Sequence, residues 1–479
     1  MNIREDCPAG LEEQAKQLAD GAITSSQLVE RTLSAIVESQ PELNAFRVLR
    51  EDEARAEAKE ADDRLAAGER LPLLGVPVAI KDDMDIVGQT TEIGCPGEFP
   101  VKTADCAHVT RLRAAGAVIV GKTTCPEMAM LPVQDSAARG TTRNPWNLDR
   151  TPGGSSGGVA AAVAAGLVAG GIGSDGGGSV RIPAAWTHLV GIKTELGRIS
   201  TWPYPEMVNG LTVMGPLART VRDAALLLDV VSGNQPGDMH RLAPPPEMFR
   251  AAAERDPGKL RIALAMRPPF SWFSSPVDPE VRQMVERIAD VLRGLGHEVF
   301  VEDLNYRLIG ANFMPRAMNG LRKAAWEVPD QTLLDPRVRT SIRLGKVLDG
   351  PALNAARAWL PHLQRRVGNI FERADVVLAP TTAKPPVAAQ ALRGLSATQT
   401  DRLVVGACPY AWPWNVLGWP GVNVPAGLTD DGLPVGVQLL GGSGSEPLLI
   451  SLAAQLEEVE RWQDKWPPYT AATVPLAAA

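Results

Sequence analysis

Two glycine-rich stretches carry serines, TPGGSSGG at Thr151–Gly158 and GSDGGGSVRIP at Gly173–Pro183, and upstream of them Lys81 ends the apolar run GVPVAIKDD. Glycine gives the backbone paths that other residues cannot follow, and a serine set in such backbone is a candidate nucleophile. Three shorter patterns compete for the same region. Gly116–Thr123 reads GAVIVGKT, a literal G-x-x-x-x-G-K-[ST]. A phosphate loop needs a flexible turn between strand and helix, whereas Ala-Val-Ile-Val is itself strand-forming and Pro126 follows closely, so nucleotide binding is set aside. Gly171, Gly173 and Gly176 satisfy G-x-G-x-x-G, but an Ala-rich helix precedes them where a dinucleotide site requires a strand. Gly154, Ser156 and Gly158 spell G-x-S-x-G, which would need a histidine downstream as base. Of those available, His188, His240, His297 and His362, none sits in a convincing glycine-rich or loop setting near the C-terminus.

The wider composition narrows the class of protein. The 479 residues include 48 Lys and Arg against 55 Asp and Glu, a net charge of −7, and are 45% hydrophobic. Mild acidity spread along the chain argues against a nucleic-acid or anionic-membrane surface and favours small neutral ligands. Cys7, Cys95, Cys106, Cys125 and Cys408 are too scattered for a disulfide scaffold, and none has zinc-ligand spacing, so a reducing cytoplasm is expected. The start, MNIREDCPAGLEEQ, has no apolar core of a secretory signal. Val159–Ile172 is uncharged and apolar over 14 residues, short of the ~20 that span a bilayer. It reads as a buried helix and the turn after it.

The elements that must position these residues alternate. Residues 11–67 read as a solvated helical layer: Thr24, Ser25 or Ser26 can cap QLVERTLSAIVES, and Glu51/Arg55 and Glu60/Arg64 are helix-supporting pairs. Leu73–Lys81 reads as a strand, and HVTRLRAAGAVIVGKTT as helix then strand. Thr220–Asp229 is a capped amphipathic helix, and 233–257 a Pro/Gly-rich surface loop. LRIALAM, the helix 278–295 and HEVFVED make a β-α-β unit, with further strands at 375–380 and 422–425. The stretch 383–419 reads as a long loop, aromatic in its second half, that could wall or cover a pocket.

The glycine/serine block, the 24 residues between Ser155 and Ser179, D-x-G-G-S-V-R-x-P at Asp175–Pro183 and NPW at Asn144–Trp146 together resemble the amidase signature family, serine hydrolases that act on C–N bonds. Weaker resemblance runs on to GLPVGVQLLG at Gly432–Gly441. The resemblance implies a three-layer α/β/α fold around a large twisted mixed sheet, without metal or organic cofactor. It implies one domain over 1–479, with a helical layer at 1–70, the catalytic core at 71–232, and the rest of the sheet with pocket and lid elements at 258–479. It also implies a Ser-Ser-Lys triad, with Ser179 as nucleophile, Ser155 on a cis peptide bond as relay and Lys81 as terminal base. The backbone N–H groups of Gly176, Gly177, Gly178 and Ser179 would form the oxyanion hole. Relatives often carry Thr where this chain has Gly176. Asp175 and Arg181 are read as structural partners of the loop.

Elementary chemistry agrees with that assignment. An attacking serine must shed its proton, and where no histidine is offered a lysine can take it only when neutral. Free lysine titrates near 10.4, so a neutral amine at pH 7 costs about 4 to 5 kcal/mol unless the site desolvates it. The apolar strand before Lys81 suits this; Asp82 and Asp83 oppose it if they point at the amine. The family covers fatty, aryl and short aliphatic amides, and some bacterial members take esters and carbamates (urethanes). Met130, Trp202, Tyr204, Met207, Phe313, Trp412 and Trp414 are the apolar pocket candidates, and they favour an aryl or alkyl amide, anilide or carbamate over a charged amino-acid amide. The expected partner is that small molecule, with no nucleic acid and no membrane; a homodimer is common among relatives. Two alternatives stand beside this: the glutaminase-type amidase subunit of a tRNA-dependent amidotransferase, and a noncatalytic binding protein on the same fold.

Overall fold

The apolar residues before Lys81 form strand β2, Pro77–Lys81, buried at every position. Its proline sits at the first residue, where no ladder hydrogen bond is lost. In the computed structural model, which describes residues 9–269 and 276–471, β2 lies inside a mixed sheet of 11 strands. In chain order the strands are β1 (Phe46–Leu49), β2, β3 (Val118–Thr123), β4 (Asp135–Ser136), β5 (Gly140–Thr141), β6 (Gly170–Asp175), β7 (Val190–Lys193), β8 (Val213–Ala218), β9 (Arg261–Leu264), β10 (Glu298–Val301), β11 (Val376–Pro380), β12 (Gly421–Leu428) and β13 (Pro434–Leu440). The sheet order is β1-β3-β2-β6-β8-β7-β12-β13-β11-β9-β10, and β4 with β5 makes a separate two-stranded ladder. Strands β3, β2 and β6 run parallel, as do β11, β9 and β10, while the strands between them pair antiparallel.

Helices cover both faces, as the three-layer reading requires. Val221–Val231, Pro279–Gly294 and Glu446–Glu460 bury Leu227, Val285, Ile288, Leu449 and Leu452 in one large core. Ser25–Leu43 and Gly157–Ala164 close a second core with Val29, Leu33, Ile36 and Val159. Each such side chain contributes roughly 1.5–3 kcal/mol of burial. Thr24 caps the first of these helices: its hydroxyl accepts from Gln27 N at 3.1 Å, and Gln27 Oε1 accepts in turn from Thr24 N. A third cluster joins Ile309–Ala324, Pro351–Gly368 and Trp412–Leu417.

Three expectations change. The span 11–67 is not all helical layer: Phe46–Leu49 is strand β1, paired with β3 at the end of the sheet order. The segment 159–172 is a helix to Ala164 and the turn after it, but its last residues, from Gly170, belong to strand β6, Gly170–Asp175. The stretch 383–419 is not all loop: it holds the helices Ala397–Ala407 and Trp412–Leu417. The first carries a capping box from Ser396 and Gln399, and the second has only six residues, too few to show a period. GAVIVGKT forms strand β3 as expected, and Lys122 is buried with Nζ on Thr90 O at 2.7 Å and Asp82 Oδ1 at 2.9 Å. Cys95, Cys106, Cys125 and Cys408 are buried and free; Cys7 lies outside the described residues. Among the described residues no helix is long and apolar enough to cross a membrane.

Candidate active site

Because β2 and β6 are parallel neighbours, with Ile80 opposite Ile172, their C-terminal ends open at the same edge. Lys81 ends β2, and Ser174 and Asp175 end β6. Lys81 is wholly buried, and its Nζ lies 2.7 Å from Ser155 Oγ, 2.7 Å from Ser174 Oγ and 3.0 Å from Asp83 Oδ2. The Gly154–Ser155 peptide bond is cis. Ser156 N donates to Ser179 O at 3.1 Å, joining the two serine loops through the backbone. The side chains of Ser155 and Ser179 make no hydrogen bond to each other in this resting geometry, and Ser179 is half-buried.

Ser156 is held in a structural role. Its hydroxyl donates to Ser174 O at 3.1 Å and accepts from Ser174 N at 3.2 Å. The histidines are engaged elsewhere: His188 packs edge-on to Trp146, His297 bonds Leu260 N and Gln455, His240 pairs with Glu206, and His362 stacks on Trp359. G-x-S-x-G is therefore no nucleophile elbow in this fold.

The second glycine loop is tied to a buried ion pair. Arg181 Nε donates to Asp175 Oδ2 at 3.0 Å, and both residues are inaccessible to solvent. Burial alone would raise the Asp175 carboxyl, but the Arg181 guanidinium outweighs it and holds the group well below the usual carboxylate range. The remaining Arg181 donors reach Gln438 Oε1 at 2.9 Å and Asn415 Oδ1 at 2.8 Å, and Asn415 Nδ2 returns to Asp175 Oδ1 at 2.9 Å. Every strong group in this low-dielectric pocket thus has a partner, the condition under which a buried pair is tolerated. The structural role expected for Asp175 and Arg181 is the one observed.

That role takes up one of the expected oxyanion donors. Gly178 N donates to Asp175 Oδ1 at 2.7 Å, so it is withdrawn from the donor set and leaves Gly176, Gly177 and Ser179. Gly178 has φ +115, a conformation that favours glycine. At Gly176 a Cβ would lie 2.5 Å from Thr212 Oγ1, so a larger residue there needs the Thr212 side chain to turn. The NPW motif braces the first loop, with Asn144 Nδ2 on Thr151 O at 3.1 Å and Trp186 O at 2.7 Å, and Trp146 Nε1 on Thr187 O at 3.0 Å.

The pocket candidates divide. A Cβ on Gly177 would come within 3.7 Å of the Phe313 ring and 3.8 Å of Trp412 Cβ, and the two rings lie 5.2 Å apart, so they form a wall beside the loop. Met207 is joined by a β-bridge to Thr212 on the loop's flank. Trp414 is fully buried, donates to Gly441 O at 3.0 Å and packs on Tyr306 and Trp419; it is core, because its helix turns this face inward. Trp202 is exposed at a separate surface depression lined by Val87, Ala104, Asp105, Ala107, Thr110 and Gln235. Tyr204 is turned to Glu327 by a 2.8 Å hydrogen bond, and Met130 packs with Cys95, Met128 and Leu321.

Ser174, Asn415 and Gln438 were not anticipated. Ser174 adjoins Asp175 in the glycine bed and was open to notice there; Asn415 and Gln438 reach Arg181 from more than 200 residues away and leave no local signal. Of the two acids after Lys81, Asp83 points at the amine, while Asp82 faces Arg47 at 2.6 Å and Lys122.

Lys81 and the serine loops thus meet at the C-terminal ends of β2 and β6, and the chain as a whole is similar to a known group of enzymes. The sequence profile of the Amidase family matches residues 27–450, and the chain belongs to the amidase signature family. The presumed amidase AmiA2 of Mycobacterium tuberculosis is 53% identical over 452 residues, which cover 94% of this chain and 93% of that protein. Among solved structures, 6-aminohexanoate cyclic dimer hydrolase complexed with substrate superposes with a TM-score of 0.87 at 30% identity, covering 96% of this chain and 99% of that one. A bacterial aryl acylamidase of the amidase signature enzymes gives 0.85 at 27% identity, covering 98% of this chain and all of that one. The chain is an amide-hydrolysing enzyme of this family.

Proposed function

We propose that the enzyme cleaves the C–N bond of neutral aryl and alkyl amides, anilides included, and extends to carbamates (urethanes) and esters, through an acyl-enzyme on Ser179. The observation that carries this reading is the 2.7 Å contact between the buried Lys81 Nζ and Ser155 Oγ, beside a loop that presents Ser179. Ser179 Oγ attacks the carbonyl carbon while its proton passes to Ser155 Oγ and the Ser155 proton passes to Lys81 Nζ. The C–N bond breaks as Lys81 returns the proton through Ser155 to the leaving amine. Water then adds to the acyl-enzyme by the same relay, releasing the acid and restoring Ser179. The N–H groups of Gly176, Gly177 and Ser179 meet the oxyanion, in a place where preorganised donors need no rearrangement.

The aromatic wall of Phe313 and Trp412 beside Gly177 supports an apolar group next to the scissile carbonyl. A small fluorophosphonate should modify a single residue, and peptide mass mapping should place it on Ser179; an adduct on Ser156, or none, would remove the acyl-enzyme from this account. Matched anilide, carbamate and primary-amide substrates then rank the specificity. The anilide is expected to give the highest kcat/KM, and preference for the polar primary amide would favour the glutaminase-type alternative.

A further inference from the structure

Lys81 Nζ has three close oxygen neighbours, two of them side by side. Ser155 Oγ and Ser174 Oγ each lie at 2.7 Å, and Asp83 Oδ2 at 3.0 Å. Ser174 Oγ donates in turn to Asp83 Oδ2 at 2.5 Å. The one hydrogen on Ser174 is thereby committed, so that hydroxyl can show Lys81 only a lone pair, and the Asp83 carboxylate likewise only accepts. A neutral amine has two N–H groups and one lone pair. Ser174 Oγ and Asp83 Oδ2 lie side by side as seen from the amine, and an N–H turned towards that pair leaves the lone pair free to face the third neighbour, Ser155 Oγ, the direction from which the relayed proton arrives.

We infer that Asp83 is a positioning residue of the proton relay: acting on Lys81 directly and through Ser174, it turns the amine lone pair towards Ser155 and then lies against the ammonium that forms. This rests on the Ser179–Ser155–Lys81 reading above. Asp83 Oδ1 is buried and has no hydrogen-bond partner among the described residues, so the carboxylate's contacts go to the lysine cluster and not to a separate structural anchor. The other titratable groups packed around the cluster are engaged or neutral. Asp82 faces Arg47 and Lys122, and Asp175 faces Arg181. Burial pushes the Cys125 thiol up and the His108 imidazole down to about 4. The arrangement does for an amine what the aspartate of a Ser-His-Asp triad does for an imidazole, which is to fix which lone pair faces the nucleophile's proton.

Asp83→Asn tests this, because the amide can present N–H to Ser174, whose hydroxyl then turns and donates to the Lys81 lone pair. We expect kcat to fall by about 100-fold or more with KM within about twofold of the parent. The acidic limb of the remaining pH–rate profile should move to lower pH, since the anion that favours the ammonium is gone. Ser174→Ala, which keeps that anion, should lower kcat by about 10-fold and leave the limb in place; it serves also where Asp83→Asn does not fold, as judged by thermal unfolding. Parental kcat in folded Ser174→Ala, or parental kcat and pH profile in folded Asp83→Asn, overturns the inference. Lys81→Met separates the two levels: if it is inactive while the Asp83 and Ser174 variants match the parent, only the positioning role falls, whereas an active Lys81→Met removes the triad reading as well.

Discussion

The cluster around Lys81 and the aromatic wall beside Gly177 meet at one glycine loop, yet they are built differently. In the cluster, Lys81, Ser155, Ser174, Asp175 and Arg181 are all buried, and each side chain is hydrogen-bonded, those of Lys81, Ser174, Asp175 and Arg181 by more than one bond. In the wall, Phe313 and Trp412 are half-buried rings held by packing, on two helices about 100 residues apart. Polar groups taken out of water tolerate no loose geometry, because an unpaired one is heavily penalised. Apolar rings accept many neighbours of similar size. The proposed mechanism places reaction chemistry in the first kind of region and substrate choice in the second.

The largest expected effect tests whether the cluster is as over-determined as that contrast requires. Arg181→Met leaves Asp175 buried without its cation and should lower stability by about 3 to 5 kcal/mol in urea unfolding. A loss under about 1 kcal/mol would erase the distinction between the two regions. Next comes the wall: Trp412→Ala should raise KM for an anilide by about 10-fold while kcat/KM for a small primary amide stays within about twofold. Equal loss on both substrates would make the ring part of the catalytic scaffold and not of the specificity surface.

A pH-dependent effect is expected at Lys193 on β7. Its Nζ donates to Thr194 O at 2.8 Å and Trp419 O at 2.6 Å, two acceptors that match the two N–H groups of a neutral amine. Burial, with the nearby Arg181 cation adding to it, pushes this lysine down to about 7. Between that value and the ordinary lysine range the unfolded chain binds one proton more than the folded one, so stability rises with pH across the window and is lost as pH falls through it. Lys193→Met should therefore flatten the pH dependence of the unfolding midpoint between about pH 7 and 10. An unchanged slope would mean that the folded enzyme keeps this lysine charged.

Much of the catalytic cluster was legible in the chain because its parts are local. Glycine beds, a lysine closing an apolar strand and the Asp175/Arg181 pair each announce themselves within a few residues. The wall was only half legible. Trp412 and Trp414 look equivalent in the sequence, but they lie two positions apart on a six-residue helix, roughly 200° around its axis. One therefore meets the loop while the other enters the core. Trp202 and Tyr204 were chosen by composition, and composition does not encode which surface depression a ring will border.

What the sequence determined by itself was the backbone chemistry: where glycine permits unusual conformations, where apolar runs must be buried, and which hydroxyls and amine lie at the ends of those runs. Only the tertiary structure decided how those groups are satisfied. It sent Asp82 to Arg47 and Asp83 to Lys81, although the two are adjacent and identical in type, because successive residues leave a strand end in different directions. It withdrew Gly178 N–H from the oxyanion set by giving it to Asp175, and it brought Asn415 and Gln438 to Arg181 across the sheet. Hydrogen-bond partners are settled by distances in space, and in a buried site each partner taken by one group is denied to another.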